Sequence, residues 1–302
     1  MRLSFDQLAL IEPRARSIEE APIQNSNADT SDGAIGWHST IIGSNGSALG
    51  SGCHTDRNIA RRVAIAETIE RALYARILDD STLSTEFQLK EFPSSCGFAA
   101  GFEALSTRRR SIAEAVERWA WSKWIDARQA IFPEQVPQHQ LTPLSERLLV
   151  KFDSHQTFVT NLKLQEAHQK PQEFKFTAVI AFKDGGAFPG SRVSAAHEVS
   201  NESSAIEHAV VEAWRHWTIF KGLPSVAPSD LVYGRIHHFG KNAQLAQNAI
   251  PQTSPGEWPQ PVLRLIKSMA VDLGHGLKVY LSRALCADYV GWHEGDSRRF
   301  VY

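Results

Sequence analysis

Apolar positions along this chain follow two rhythms, and the rhythm sorts the chain into elements. From Thr107 to Trp124 they recur at helical spacing. Ile112, Val116 and Trp119 form one stripe, Lys123 continues it, and Ala113, Ala120 and Trp124 broaden it. Glu114, Glu117 and Arg118 stand at i, i+3 and i+4, so they share a different face. The pattern is repeated over Arg57–Leu78, with Glu67, Glu70 and Arg71. Over Glu202–Phe220 it recurs with Glu212, and Arg215 and His216 take the same offsets. Three helices with one pattern predict three repeated helices side by side, their charged faces meeting around one pocket.

The second rhythm is that of strands. Ile35–Gly43 has β-branched and aromatic content, and residues 147–190 read as sheet, with Asp184-Gly185-Gly186 as a turn. Phe87–Phe92 reads as a short strand and Leu277–Leu285 as a longer one, whereas Leu263–Leu273 reads as helix. The prolines of Phe132–Glu146 and of Pro224–Pro261 predict loops, the second holding His237-His238, which matches no metal motif. SNGSALGSG (44–52) reads as a glycine–serine loop, either a plain connector or a segment presenting amides to an anion ahead of the helix that starts near Asp56. Residues 1–34 begin with a short helical or extended piece and become polar loop from Asn25. The expected class is α+β, a mixed or antiparallel sheet with helices packed on it. The expected organisation is an N-terminal extension, 1–34, before a single domain, 35–302.

Composition narrows the functions. With 302 residues, 42% apolar and 22% charged, the chain can bury one large core or two modest ones. A formal net charge of −1 predicts no bulk attraction to nucleic acid or membrane. No apolar run is long enough to span a bilayer, and the N-terminus is too charged for a signal peptide. The three cysteines, Cys53, Cys96 and Cys286, form no C-x-x-C pair and suit the reducing cytoplasm. No G-x-x-x-x-G-K-[ST] loop is present.

Candidate chemistry gathers on the repeated helices. Ser95–Gly101 is a small-residue run where backbone can approach a ligand or another chain closely. Arg108, Arg109 and Arg110 put positive charge at a helix start, which calls for either solvent exposure or an anionic neighbour. Glu–Arg pairs at i,i+4 also support ordinary exposed helices by about 0.2–0.5 kcal/mol each, a purely structural alternative. Cys53 and His54 are adjacent and point apart, so they make a poor nucleophile pair. Cys96 reads as packing, and Trp119, Trp121, Trp124, Trp214 and Trp217 read as core, with a peptide-binding surface as the alternative.

GSGCHTDRNIARRVAIAETIER, then SCGFAAG and EAVER, together resemble the YcaO family, and the stretch GGAFPGSRVSAAHEVS before the third helix extends the likeness to about residues 35–285. The resemblance implies a YcaO-like α+β fold. It implies ATP- and Mg²⁺-dependent activation of a backbone amide in a ribosomally made peptide, giving an azoline or a thioamide. By the same resemblance, Glu67, Glu70, Arg71, Glu114, Glu117, Arg118 and Arg110 fall at nucleotide positions, with Glu67, Glu70 and Glu114 as metal ligands; catalytic residues are not assigned. Val63, Cys96, Phe102, Ser106 and Arg110 depart from the family pattern, Ser106 standing where an acidic ligand is usual and Arg110 where Gln is usual. Losing a carboxylate and gaining a guanidinium predicts weakened Mg²⁺ binding. No leader-docking module is evident, so the expected partners are a precursor peptide and a protein that delivers it, in an oligomer or hetero-complex. The competing expectation is a nucleotide-degenerate YcaO-fold scaffold or partner subunit without ATP chemistry of its own.

Overall fold

The computed structural model describes residues 5–24, 34–137, 140–164, 172–195, 202–224, 230–254, 256–273, 277–291 and 293–300. The polar loop expected at 25–33 lies outside them. The fold is α+β, and the chain divides into two compact units: Met1–Ser111 with Ile266–Arg283, and Ile112–Leu265 with Ala284–Tyr302.

In the first unit, α1 (Phe5–Ile11) leads into an antiparallel sheet of β1 (Ala15–Gln24), β2 (Ala34–Gly43) and β3 (Ala48–His54), in that order. Residues before 35 thus supply a helix and a full strand, β1, paired along β2. Strand β3 replaces the loop expected at 44–52, and packing explains its glycines. A Cβ on Gly52 would lie 2.8 Å from the Ala64 nitrogen of the helix behind it, so only glycine lets the strand approach. That helix, α2 (Arg57–Asp79), starts where Asp56 accepts from the amides of Asn58 and Ile59. It buries Ala60, Ala64, Ile65, Ile69, Ala72, Leu73 and Ile77, and its small residues face the glycines of β3.

After α3 (Ser81–Glu86), residues 87–92 form turns instead of the expected strand. The buried guanidinium of Arg283 gathers the carbonyls of Phe87, Phe92 and Ser94, which a strand ladder would have pointed apart. A second sheet has the order β4 (Phe98–Gly101), β10 (Lys278–Cys286), β9 (Leu263–Asp272). β9 corrects the helix expected there: its apolar residues alternate, and Met269 and Val271 pack on the core of this unit. Helix α4 (Ala104–Trp121) begins in the first unit and runs into the second.

The second unit is built on the antiparallel sheet β5 (Pro133–Glu134), β6 (Ser154–Leu164), β7 (Gln172–Lys183), β8 (Gly186–Ala195). Asp184 and Gly185 both have positive φ, 51° and 77°, in the β7–β8 turn, as a two-residue type I′ hairpin requires. Trp121 and Trp124 are buried against Phe158 and Phe176 of one sheet face, which settles those tryptophans as core. The chain after α4 widens into a single π turn, Ser122–Asp126, that seats Trp124 and Ile125. Helix α6 (Glu202–Gly222) covers β7 and β8 with Ala205, Ile206, Ala209, Val210 and Ala213.

Two expected loops contain three helices. α5 (Pro143–Leu149) opens with Pro143 at its first turn and a capping box between Thr142 and Ser145, so proline starts the helix here. α7 (Leu231–Gly240), capped by Asp230, carries His237 and His238, and α8 (Ala243–Ala249) is capped by Asn242. Among the described residues no helix is long and apolar enough to cross a membrane.

Candidate functional site

The charged residues of the repeated helices meet backbone before they meet one another. In the first unit Glu67 accepts the Ser51 amide at 2.7 Å, while Arg71, one turn on, donates to the Leu49 carbonyl at 3.3 Å and to Glu67 Oε1 at 2.6 Å. These groups lie on β3, the strand at one end of its sheet. The Glu–Arg pair therefore satisfies an amide and a carbonyl that a further strand would otherwise take.

The second unit repeats the device on β8. Glu212 accepts the Ser191 amide at 2.7 Å, and His216 Nδ1 donates to the Pro189 carbonyl at 2.6 Å. In both units a glycine separates the two strand residues, Gly50 in one and Gly190 in the other. A Cβ on Gly190 would lie 2.7 Å from the Ala213 nitrogen and closer still to the Ala209 carbonyl. A third edge, β4, is closed by two helices. Glu70 of α2 accepts the Ala100 amide at 3.2 Å, and Arg110 of α4 donates to the Ala100 carbonyl and to Glu70 Oε2, the latter at 3.1 Å. Arg110 thus finds the anionic neighbour that the arginine run called for.

Around Ser191 the second unit gathers further polar groups. Trp121 Nε1 donates to Ser191 Oγ at 2.8 Å, and that hydroxyl donates to Glu117 Oε1 at 2.8 Å. Through Ser191 the charged faces of α4 and α6 meet. Burial pushes Glu117 above the usual carboxylate range, and Glu212 adds to that push while Arg118 and Arg192 oppose it. Arg118 stands 3.9 Å from Glu117 and 4.0 Å from Glu114. His216 is lowered to about 4, first by burial and then by Arg215 and Arg118. His208 is lowered to about 3, first by desolvation and then by Arg192, Arg215 and Arg118. All three guanidinium groups disfavour a proton on this imidazole.

Of the residues expected from sequence, Glu67, Glu70, Arg71 and Arg110 lie in the first unit, and Glu114, Glu117, Arg118 and Glu212 in the second. Ser106 is exposed at the start of α4, its hydroxyl donating to the Glu103 carbonyl. The expected metal ligands do not fit a divalent ion as they stand in the first unit. Both oxygens of Glu67 are engaged, and Glu70 Oε2 is shared between an amide and a guanidinium. Among the described residues no three His, Cys, Asp or Glu side chains come together as a metal cluster. Sequence reasoning missed Ser51, Ser191 and Arg192. The signal that marks them is a Gly-Ser pair, at 50–51 and 190–191, lying 16 and 21 residues before the glutamate that takes the serine amide.

No protein-family model matches the sequence, and no curated protein does. Solved structures share the fold. YcaO from Methanopyrus kandleri, bound with AMPPCP and Mg²⁺, matches with a TM-score of 0.56 at 13% identity, over 97% of this chain and 93% of that one. The E. coli microcin synthetase McbBCD complex with pro-MccB17 bound gives a TM-score of 0.57 at 10% identity, over 93% of this chain and 90% of that one. A heterocyclase in complex with substrate and cofactor gives 0.51 at 10% identity, over 95% of this chain and 52% of that one. The chain has the fold of these YcaO and microcin synthetase structures.

Proposed function

From that shared fold, we propose that the chain is a divergent YcaO-family subunit of a complex that modifies the backbone of a ribosomally made peptide. Bound ATP would supply the phosphoryl group that activates a peptide amide oxygen, so that a Cys, Ser or Thr side chain closes an azoline or an external sulfur leaves a thioamide. The observation that carries the reading is the fold shared with YcaO bound with AMPPCP and Mg²⁺; within the second unit, Arg118, Arg192 and Arg215 all add positive potential at His208. Guanidinium forks suit phosphate oxygens, and here they act beside a buried carboxylate, Glu117, that fixes the strand bearing Arg192. Glu114 at 4.0 Å and Glu117 at 3.9 Å lie at ion-pair distance from Arg118 on the same helix. Cysteines that form no disulfide among the described residues fit work in a reducing compartment such as the cytoplasm. The microcin synthetase match, a complex with its pro-peptide bound, supports assembly with a partner protein and a precursor peptide.

A second reading is favoured by one observation. Glu67 and Glu70 already have cationic partners, as they would in a scaffold subunit that has given up nucleotide chemistry. The two part on co-expression with small peptides and proteins encoded beside this chain, followed by peptide mass measurement. The enzyme reading expects loss of water or exchange of oxygen for sulfur, abolished by Glu114→Gln and by Arg118→Gln. Full modification in both variants would leave the scaffold reading in its place.

A further inference from the structure

Resting on the nucleotide reading above, we infer that Arg110 is a built-in cation in the place a divalent ion would take at Glu70, and that this chain binds the polyphosphate of a nucleotide without a metal. Glu70 is the only expected metal ligand of the first unit whose second oxygen, Oε1, has no partner among the described residues. Its Oε2 is held by the Ala100 amide and by Arg110 Nη2. Burial pushes Glu70 above the usual carboxylate range, and Arg110 is the largest influence holding it down. A guanidinium bonded to both the carboxylate and the neighbouring Ala100 carbonyl satisfies what a bound cation would satisfy, with fixed geometry.

The same side chain keeps ligand-binding capacity. Both of these bonds use Nη2, so Nε and Nη1 are unengaged among the described residues, and 43% of the side chain is accessible. A guanidinium has five donors in a planar fork, so the edge formed by Nε and Nη1 can take an anionic oxygen pair while Nη2 stays on Glu70. Thr107 packs under Gly101, its hydroxyl donating to the Glu103 carbonyl, which fixes the helix turn that carries Arg110. Arg110 is thus anchored at one edge and open at the other, and a metal ion brought to Glu70 would have to displace it.

The test is calorimetric titration of the full chain with ATP and with inorganic triphosphate, in Mg²⁺ and in EDTA. Metal-independent binding predicts affinities within about twofold in the two buffers for the unmodified chain. Arg110→Gln should lose about tenfold or more in EDTA and regain part of it in Mg²⁺, because Glu70 is then open to a cation. Arg110→Lys, which keeps the charge but not the fork, should fall between them. Binding by the unmodified chain that drops about tenfold in EDTA overturns the inference and leaves the nucleotide reading standing. Equal binding by Arg110→Gln and the unmodified chain in EDTA also overturns it. No binding in either buffer overturns the nucleotide reading itself, and this inference with it. The comparison of buffers needs no variant, so a poorly folding Arg110→Gln leaves the decision intact.

Discussion

The strand–helix pair β3–α2 of the first unit and the pair β8–α6 of the second solve one problem with different chemistry. Each ends a sheet with a glycine against a helix, and each caps the serine amide after that glycine with a helix glutamate at 2.7 Å. One turn later the first unit uses Arg71 on the Leu49 carbonyl, and the second uses His216 on the Pro189 carbonyl. Arg71 is largely exposed and pairs with its own glutamate. Burial first, and then Arg215 and Arg118, hold His216 neutral. The lesson is that the glutamate of this repeat is first an edge cap, which leaves the residue after it open to diverge. In one unit it closes the cap with charge; in the other a neutral imidazole does so.

Substitutions at the glycines should expose the difference most strongly. Gly190→Ala drives a methyl into the backbone of α6 and should cost about 3 kcal/mol in denaturant unfolding. Gly50→Ala also meets helix backbone, the Thr68 nitrogen at 2.7 Å and the Ala64 carbonyl oxygen at 2.8 Å, but nothing as near as the 2.0 Å to the Ala209 carbonyl oxygen at Gly190, and should cost less, about 2 kcal/mol. Equal costs would mean that the two contacts are equally rigid. Removing the caps comes next. Glu212→Ala strands the Ser191 amide beside a buried Glu117 and should cost about 2 kcal/mol, whereas Glu67→Ala, nearer to solvent, should cost about 1 kcal/mol.

Acid should separate the clamps further. The folded His216 is lowered to about 4 from an ordinary value of 6.5, so the folded state favours the neutral ring. The stability this contributes is present above pH 6.5 and is lost as pH falls toward 4, since the unfolded chain takes up the proton first. His216→Gln, compared by urea midpoints across that window, should flatten the acid loss, while Arg71→Gln should leave its slope unchanged. An unaltered slope in His216→Gln would deny His216 that role. The smallest effect belongs to Arg71→Gln at neutral pH, about 0.5 kcal/mol, since the pair it breaks is exposed.

The helices and their charged faces were legible because helical period and charge offset are local properties. Asp56 and the alternation of small and apolar residues placed α2 within a residue of its observed end. The edge caps were not legible, because a glutamate that accepts a strand amide looks like one that pairs with the arginine a turn later. β3 hid behind glycines whose purpose is the close approach of α2, and β9 behind apolar residues that fit either period. α5 hid behind Pro143, read as a breaker although it occupies a helix start. The joint influence of Arg118, Arg192 and Arg215 on His208 needed tertiary structure, since Arg192 comes from a strand and Arg118 and Arg215 from two helices.

The most direct measurement is an experimental structure of the full chain with a non-hydrolysable ATP analogue and Mg²⁺. The predicted result is phosphate oxygens on guanidinium groups of Arg118, Arg192 or Arg215, with the Ser51–Glu67, Ser191–Glu212 and Arg110–Glu70 bonds unbroken. A metal ion ligated by Glu67 and Glu70, with Arg71 and Arg110 swung away, would contradict it.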